Sequence, residues 1–158
     1  MRWWPLLRRL RRNQDGATLV EFAIVAPVMG AMLLGVVDVS LYISSSLAVQ
    51  RAARAGGEYA IASGYDATKI STAVTDSTST RSAYMTAITA DPAPSKWCGC
   101  PDSGTSVVAA TCGSKCTSGL KAGTYVSSSA KSTYQPLFNV PGLGTSRTIV
   151  STATVRIE

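Results

Sequence analysis

The 158-residue chain contains no histidine. That absence removes the Ser-His-Asp and Cys-His forms of nucleophilic catalysis and the commonest nitrogen ligand for zinc. Acidic residues are also scarce, nine in all, and scattered, so no paired-carboxylate site stands out for acid–base work. A basic surface is missing too, despite a formal charge of +6. Arg2, Arg8, Arg9, Arg11 and Arg12 stand against Asp15 within residues 1–16, a net of +4, whereas the remainder holds ten basic and eight acidic side chains. The body is therefore nearly neutral and has no sustained basic stripe, which argues against a nucleic-acid partner. These absences point away from an enzyme, and no cofactor is expected.

The front of the chain is basic and aromatic through Met1-Arg2-Trp3-Trp4-Pro5-Leu6-Leu7-Arg8-Arg9-Leu10-Arg11-Arg12. Arginines flanking a membrane segment stay on the cytoplasmic side, so this end is expected inside. From Ala17 to Ile43 run 27 residues in which only Glu21 and Asp38 are charged. About 20 apolar residues suffice to cross a bilayer core. A secretory signal peptide would have a shorter apolar region, followed by its cleavage site. Pro27, inside the span, removes one backbone hydrogen bond, which membrane helices tolerate. Asp38, near the outer end, can reach the interface.

The helical pattern continues beyond the span. Ser40, Ser44, Ala48, Ala52, Gly56 and Ala60 place a small residue at every fourth position, a stripe that drifts slowly around the helix. Two uses are open for it: packing on the chain's own outer domain, or close approach of another helix. Arg51, Arg54 and Glu58 share a different face, and Arg54 can pair with Glu58 at i,i+4. One long helix over Thr18–Ala62 is predicted, stopping near Ser63-Gly64.

Within that helix, Glu21 is the residue that needs an explanation. A carboxylate in hydrocarbon is costly without a partner and marks a functional site by default. The preceding junction, Asn13-Gln14-Asp15-Gly16-Ala17-Thr18-Leu19-Val20-Glu21-Phe22, places a glycine five residues before it. Gly16-Ala17-Thr18-Leu19-Val20-Glu21-Phe22 resembles the prepilin peptidase site of type IV pilin-like proteins, with cleavage after glycine and glutamate fifth in the mature chain. The longer stretch from Gly16 through Pro27-Val28 into Gln50-Arg51-Ala52-Ala53-Arg54-Ala55-Gly56 is similar to the TadE family, minor pilins or pseudopilins of the tight-adherence (Tad, Flp-type) pilus. Tyr134-Gln135-Pro136-Leu137-Phe138 and Ser151-Thr152-Ala153-Thr154-Val155-Arg156-Ile157 are similar to the closing strands of such chains. The middle of the chain, with its four cysteines, departs from the common family pattern.

The resemblance implies a leader, residues 1–16, removed by a prepilin peptidase between Gly16 and Ala17. It implies that Glu21 and Phe22 serve assembly, Glu21 neutralising the new ammonium of a neighbouring subunit. The partners implied are that peptidase, other Tad pilins and the inner-membrane assembly platform. The location implied is the bacterial inner membrane, with a single pass over about 17–43, the long helix over 17–62, and a periplasmic domain over 63–158.

That outer portion reads as α+β. Asp66 is a suitable N-cap for a helix starting at Ala67, with Ile70, Ala73 and Val74 as its apolar stripe. After the polar break Asp76–Thr80, the residues Ala83, Tyr84, Ala87 and Ile88 suggest a second short helix, or the same one broken. Asp91-Pro92-Ala93-Pro94 ends helical structure. Strands are predicted at Thr105–Cys112, Gly123–Tyr134 and Arg147–Ile157. In the last of these, Ile149, Ala153, Val155 and Ile157 share one face with Ser151, and Thr148, Thr152, Thr154 and Arg156 share the other. Between the last two strands, Leu137, Phe138, Val140 and Leu143 form an apolar loop that either caps the core or contacts another pilin.

The Cys-rich segment, 97–117, carries Cys98, Cys100, Cys112 and Cys116. Outside the cytoplasm four cysteines suggest two disulfides, with three connectivities open. Bridges between the Cys98/Cys100 segment and the Cys112/Cys116 segment are favoured over a strained bridge within C-x-C. A four-thiolate zinc site is the sharper alternative, but C-x-C is tight for it. The reading that results is a TadE-like minor pilin. A bulk or tip-exposed pilus subunit and an uncleaved, membrane-anchored binding module are its rivals.

Overall fold

The computed structural model describes residues 15–77, 83–101, 106–137 and 146–157. The leader arginines, Phe138, Val140, Leu143 and Thr105 lie outside the described residues. Helix α1 spans Asp15–Ser63, 49 residues that run through Pro27 without interruption. Two compact units divide the chain, residues 1–40 and residues 41–158. In the first, every described residue is helical.

The second unit pairs the outer part of α1 and a short helix with a sheet. Helix α2, Ala67–Asp76, begins where expected: the Asp66 carboxylate accepts from the backbone N–H of Thr68 and Lys69, each at 3.1 Å. This satisfies two of the donors that a helix start leaves open. Strands β1 (Ser95–Pro101), β2 (Val107–Ala109), β3 (Gly123–Tyr134) and β4 (Arg147–Arg156) form an antiparallel sheet in the order β2-β1-β3-β4. The long ladder is β3–β4, in register from Tyr125 opposite Arg156 to Tyr134 opposite Arg147.

Period-two alternation decides which face of this ladder is inside. Val126, Ser128, Ala130, Ser132 and Tyr134 of β3 turn inward with Ile149, Ala153 and Val155 of β4, where Val49, Ala52, Ala53 and Val74 from the helices meet them. Val49, Ala52, Ala53, Ala60, Ile70, Val74, Val126 and Ala130 are all fully buried. Hence the small-residue stripe resolves in favour of intramolecular packing from Ala48 onward. Ser40 and Ser44, the first two of the series, remain exposed. The closest approach is at Gly56, where an added Cβ would collide with the Ser128 hydroxyl and come within 2.7 Å of Val74 Cγ2.

Three expectations are corrected. Residues 83–90 are not a second short helix. Past Ser127, β3 loses β1 as its neighbour, and Tyr84–Thr89 takes over that edge: Thr86 N–H donates to Thr133 O, and Thr89 and Lys131 exchange backbone hydrogen bonds. The β-branched Thr86 reinforces this, its hydroxyl accepting from Thr133 N–H at 2.8 Å. Second, the predicted strand Thr105–Cys112 shortens to Val107–Ala109, because Gly113 at φ +80° turns the chain and Ser114 N–H closes onto Thr111 O. In addition, Ser95–Pro101 is a strand that was not among the three predicted. Third, Arg54 and Glu58 are both exposed, and among the described residues the ion pairs are Asp66–Lys69 and Asp91–Lys131.

Ser128 Oγ is buried without a hydrogen-bond partner, a state that costs about 1–3 kcal/mol. Ser128→Ala is therefore expected to raise the thermal unfolding midpoint of the detergent-solubilised protein, a gain of about 1 kcal/mol. Gly56→Ala should lower it by about 1–3 kcal/mol through overpacking, and adding Ser128→Ala should recover part of that loss. Gly35→Ala, which meets no atom within 4 Å, should leave the midpoint of the domain unchanged.

Candidate processing and assembly site

Helix α1 changes character along its length. From Ser45 onward the buried positions are 45, 49, 52, 53, 56, 57 and 60, the spacing of a helix with one covered face. Upstream no such face exists. Leu19, Val20, Phe22, Ile24, Val25, Val28, Met29, Met32, Leu33, Leu34, Val36, Val37 and Val39 are all exposed, Leu34 least at 43% and Leu19 most at 70%. A helix that is apolar all round is covered by lipid or by a large protein interior, since water would leave that surface unfavourably hydrated. Residues 17–43 make about 40 Å of helix, enough for a hydrocarbon core of about 30 Å. Among the described residues one helix, near the amino terminus, is long and apolar enough to cross a membrane, which fits a membrane-anchored protein.

The residues singled out in the sequence stand at the start of this segment. The helix begins at Asp15, so Gly16 and Ala17 lie in its first turn. Gly16 is exposed, and a Cβ placed on it would meet nothing within 4 Å. Glu21 follows Ala17 by four positions, on the same helix face one turn along. Glu21 and Phe22 are both exposed, Phe22 at 69%. The arrangement offers a peptide bond at a glycine with open surroundings, followed by a carboxylate and an aromatic ring free to meet another chain.

Where the apolar run ends, aromatic side chains gather. Tyr42 meets Tyr134 edge-on at 5.5 Å between ring centres, Tyr84 meets Tyr134 at 6.2 Å, and the Arg147 guanidinium lies 6.0 Å from the centre of the Tyr42 ring. Tyr134 is buried in the core, and Tyr42 and Tyr84 pack against it half-buried. The sequence reading passed over this cluster because its members are far apart along the chain. Tyr42 at the close of the apolar run was the available signal.

The four cysteines form two disulfides, Cys98–Cys112 with Cα atoms 5.1 Å apart and Cys100–Cys116 with Cα atoms 5.6 Å apart. Both cross from β1 to the segment after β2, as favoured over a bridge within C-x-C. Their sulfurs are thereby withdrawn from the zinc alternative, which needs free thiolates. Among the described residues no cluster of histidine, cysteine, aspartate or glutamate has the makings of a metal site. The crosslinks hold a region of small strands and turns in which Cys116 alone is buried between Val107 and Ala122.

A family model described as TadE-like protein matches residues 16–58, covering the whole of the glycine–glutamate junction and most of α1. No curated protein and no solved structure matches the chain. The match is a likeness of this helical segment and does not extend to residues 59–158.

Intact mass with and without prior reduction, after alkylation, is expected to show no free thiol in the unreduced protein and four after reduction. Peptide mapping should recover Cys98 joined to Cys112 and Cys100 joined to Cys116. Replacing both members of one pair by alanine should cost about 2–4 kcal/mol of domain stability, read by denaturant unfolding.

Proposed function

We propose that this chain, with its TadE-like segment over residues 16–58, is a minor pilin of the Tad pilus. A prepilin peptidase removes residues 1–16 at the cytoplasmic surface, and α1 remains in the inner membrane with residues 63–158 in the periplasm. The observation that carries this reading is the all-round apolar exposure of α1 from Leu19 to Val39, interrupted in its second turn by Glu21.

The physical logic runs from the bond to the assembly. Glycine at position 16 leaves the backbone accessible, so that an extended segment can enter a narrow active site. Cutting there creates an ammonium on Ala17, inside or at the edge of the hydrocarbon. Neither that ammonium nor the Glu21 carboxylate is stable there alone, and pairing between neighbouring subunits compensates both. The pair sets axial register, because sliding one helix along another separates the charges. Phe22, beside Glu21, adds apolar contact at the same level. The rest of the apolar surface is covered by lipid before assembly and by other pilin helices afterwards.

The outer domain argues for a minor role. A bulk subunit needs little beyond its helix, whereas here a disulfide-bearing α+β domain accompanies it. Its task is to initiate or prime the pilus with the other Tad pilins and the inner-membrane platform, and to support surface attachment.

N-terminal sequencing of the protein from membranes that contain the peptidase is expected to begin at Ala17. A chain still carrying residues 1–16 in those membranes would refute the reading and favour an uncleaved, anchored binding module. Gly16→Val should block cleavage. Glu21→Gln should leave cleavage intact and reduce recovery in sheared pili by about tenfold or more, the equivalent of losing about 1.4 kcal/mol of pairing.

A further inference from the structure

Strand β3 closes and β4 opens at the same end of the sheet, where Tyr134 stands opposite Arg147. The helix joins the outer unit at that end too, since Leu41 and Tyr42 pack half-buried against the core cluster that contains Tyr134. Tyr42 therefore belongs to two surroundings. It lies in the last turn of the apolar run over 17–43, and its ring meets that of Tyr134 at 5.5 Å between centres.

Length decides what surrounds that last turn in a membrane. Residues 17–43 make about 40 Å of helix, against a hydrocarbon core of about 30 Å and about 40–45 Å with the headgroup layers included. A helix centred in the bilayer thus carries residues 40–43 in the outer headgroup layer. The guanidinium of Arg147 lies 6.0 Å from the centre of the Tyr42 ring, which brings it to the same layer. Arg147 is exposed, and Leu137, just past the end of β3, is an apolar side chain 49% exposed.

The described acidic residues of the outer unit lie elsewhere or are occupied. Glu58 stands about 24 Å along α1 from Tyr42. Asp66 and Asp76 bound α2, whose Ile70 and Val74 pack beside Ala60 and Gly56, well beyond Tyr42 on the helix. Asp91 is engaged by Lys131 at 2.7 Å. Among the described residues of this unit, no carboxylate forms an ion pair with Arg147.

We propose that this end of the outer domain is seated on the outer leaflet, with the Arg147 guanidinium bound to lipid phosphate. A guanidinium is a planar fork of donors that fits phosphate oxygens two at a time. Its long stem lies along apolar surface while its charged head reaches the headgroups. The phosphate is that of a lipid because the surface is continuous with the span: the chain that crosses the bilayer runs directly into it. Such a seat orients the domain at the membrane surface.

The inference rests on α1 crossing a bilayer, and its test separates the two. Single cysteines introduced at Leu33, Leu137 and Ile61 carry nitroxide labels in full-length protein in phosphatidylcholine–phosphatidylglycerol nanodiscs, the native cysteines remaining in disulfides. Relaxation by oxygen and by a water-soluble nickel reagent gives the depth of each. The Leu137 label is expected within about 5 Å of the phosphate level, with Leu33 in lipid and Ile61 in water. A Leu137 label as open to nickel as Ile61, with Leu33 in lipid, overturns the seat and leaves the span standing, whereas Leu33 in water overturns both. The phosphate contact is read from thermal unfolding in those nanodiscs and in maltoside micelles, which contain no phosphate. Arg147→Gln is expected to lower the midpoint by about 4 °C more in nanodiscs than in micelles, and Arg147→Lys to lower it less. A partner within the protein, such as Tyr42 or Asp38, would act in both media, so equal shifts in the two would overturn the phosphate contact.

Discussion

Between Leu19 and Val39, α1 carries large apolar side chains all round, and every one of them is exposed among the described residues. That surface cannot be left in water at a cost of about 25 cal/mol for each Å² exposed. A bilayer is a cover that the length and composition of this helix fit. The need for that cover explains the placement of the one carboxylate near the front of the apolar run. A charged Glu21 is costly in such surroundings without a partner, and in the proposed function that partner is a newly made amino terminus at Ala17. On the proposed function, cleavage and assembly are linked by electrostatics.

The same helix serves a different purpose beyond Ser45, where its exposure narrows to one face and small residues bring it close to β3. The outcome is a tight but lightly built core. Its fully buried side chains are mostly alanine, valine and serine, with Tyr134 and Ile70 the largest. Ser128 is even buried with an unpaired hydroxyl beside Gly56. A core of this kind gains modest apolar burial for its size, and the two disulfides compensate by restricting the region from β1 to Cys116 that the core hardly reaches.

The regular patterns were legible in the amino-acid sequence. The long helix, the Asp66 cap, β3 and β4 each followed from a period or a capping residue that acts locally. The stripe from Ala48 to Ala60 was legible as a close-packing face, but its partner was not, because small residues permit approach without saying what approaches. Residues 83–90 misled: Ala83, Tyr84, Ala87 and Ile88 have helical spacing, yet the open edge of β3 offered their backbone better hydrogen bonds. Strand β1 was hidden by Gly99 and by cysteines that drew attention to sulfur chemistry. Of the candidate site, Gly16, Ala17, Glu21 and Phe22 could be named from spacing. The contact between Arg147 and Tyr42 could not, since it joins a strand to a helix that is distant in the chain.

The measurement that bears most directly on the account is solvent accessibility around α1 in a bilayer. With the native cysteines joined in disulfides, nitroxide labels can be attached to single cysteines introduced at Ile24, Val28 and Leu33, and at Arg51 and Arg54 for comparison. Oxygen, which concentrates in lipid, is expected to relax the first three labels, which sit on opposite sides of the helix, while a water-soluble nickel reagent relaxes the last two. If the labels at 24, 28 and 33 instead meet the nickel reagent as readily as those at 51 and 54, the helix is not covered by lipid and the central claim fails.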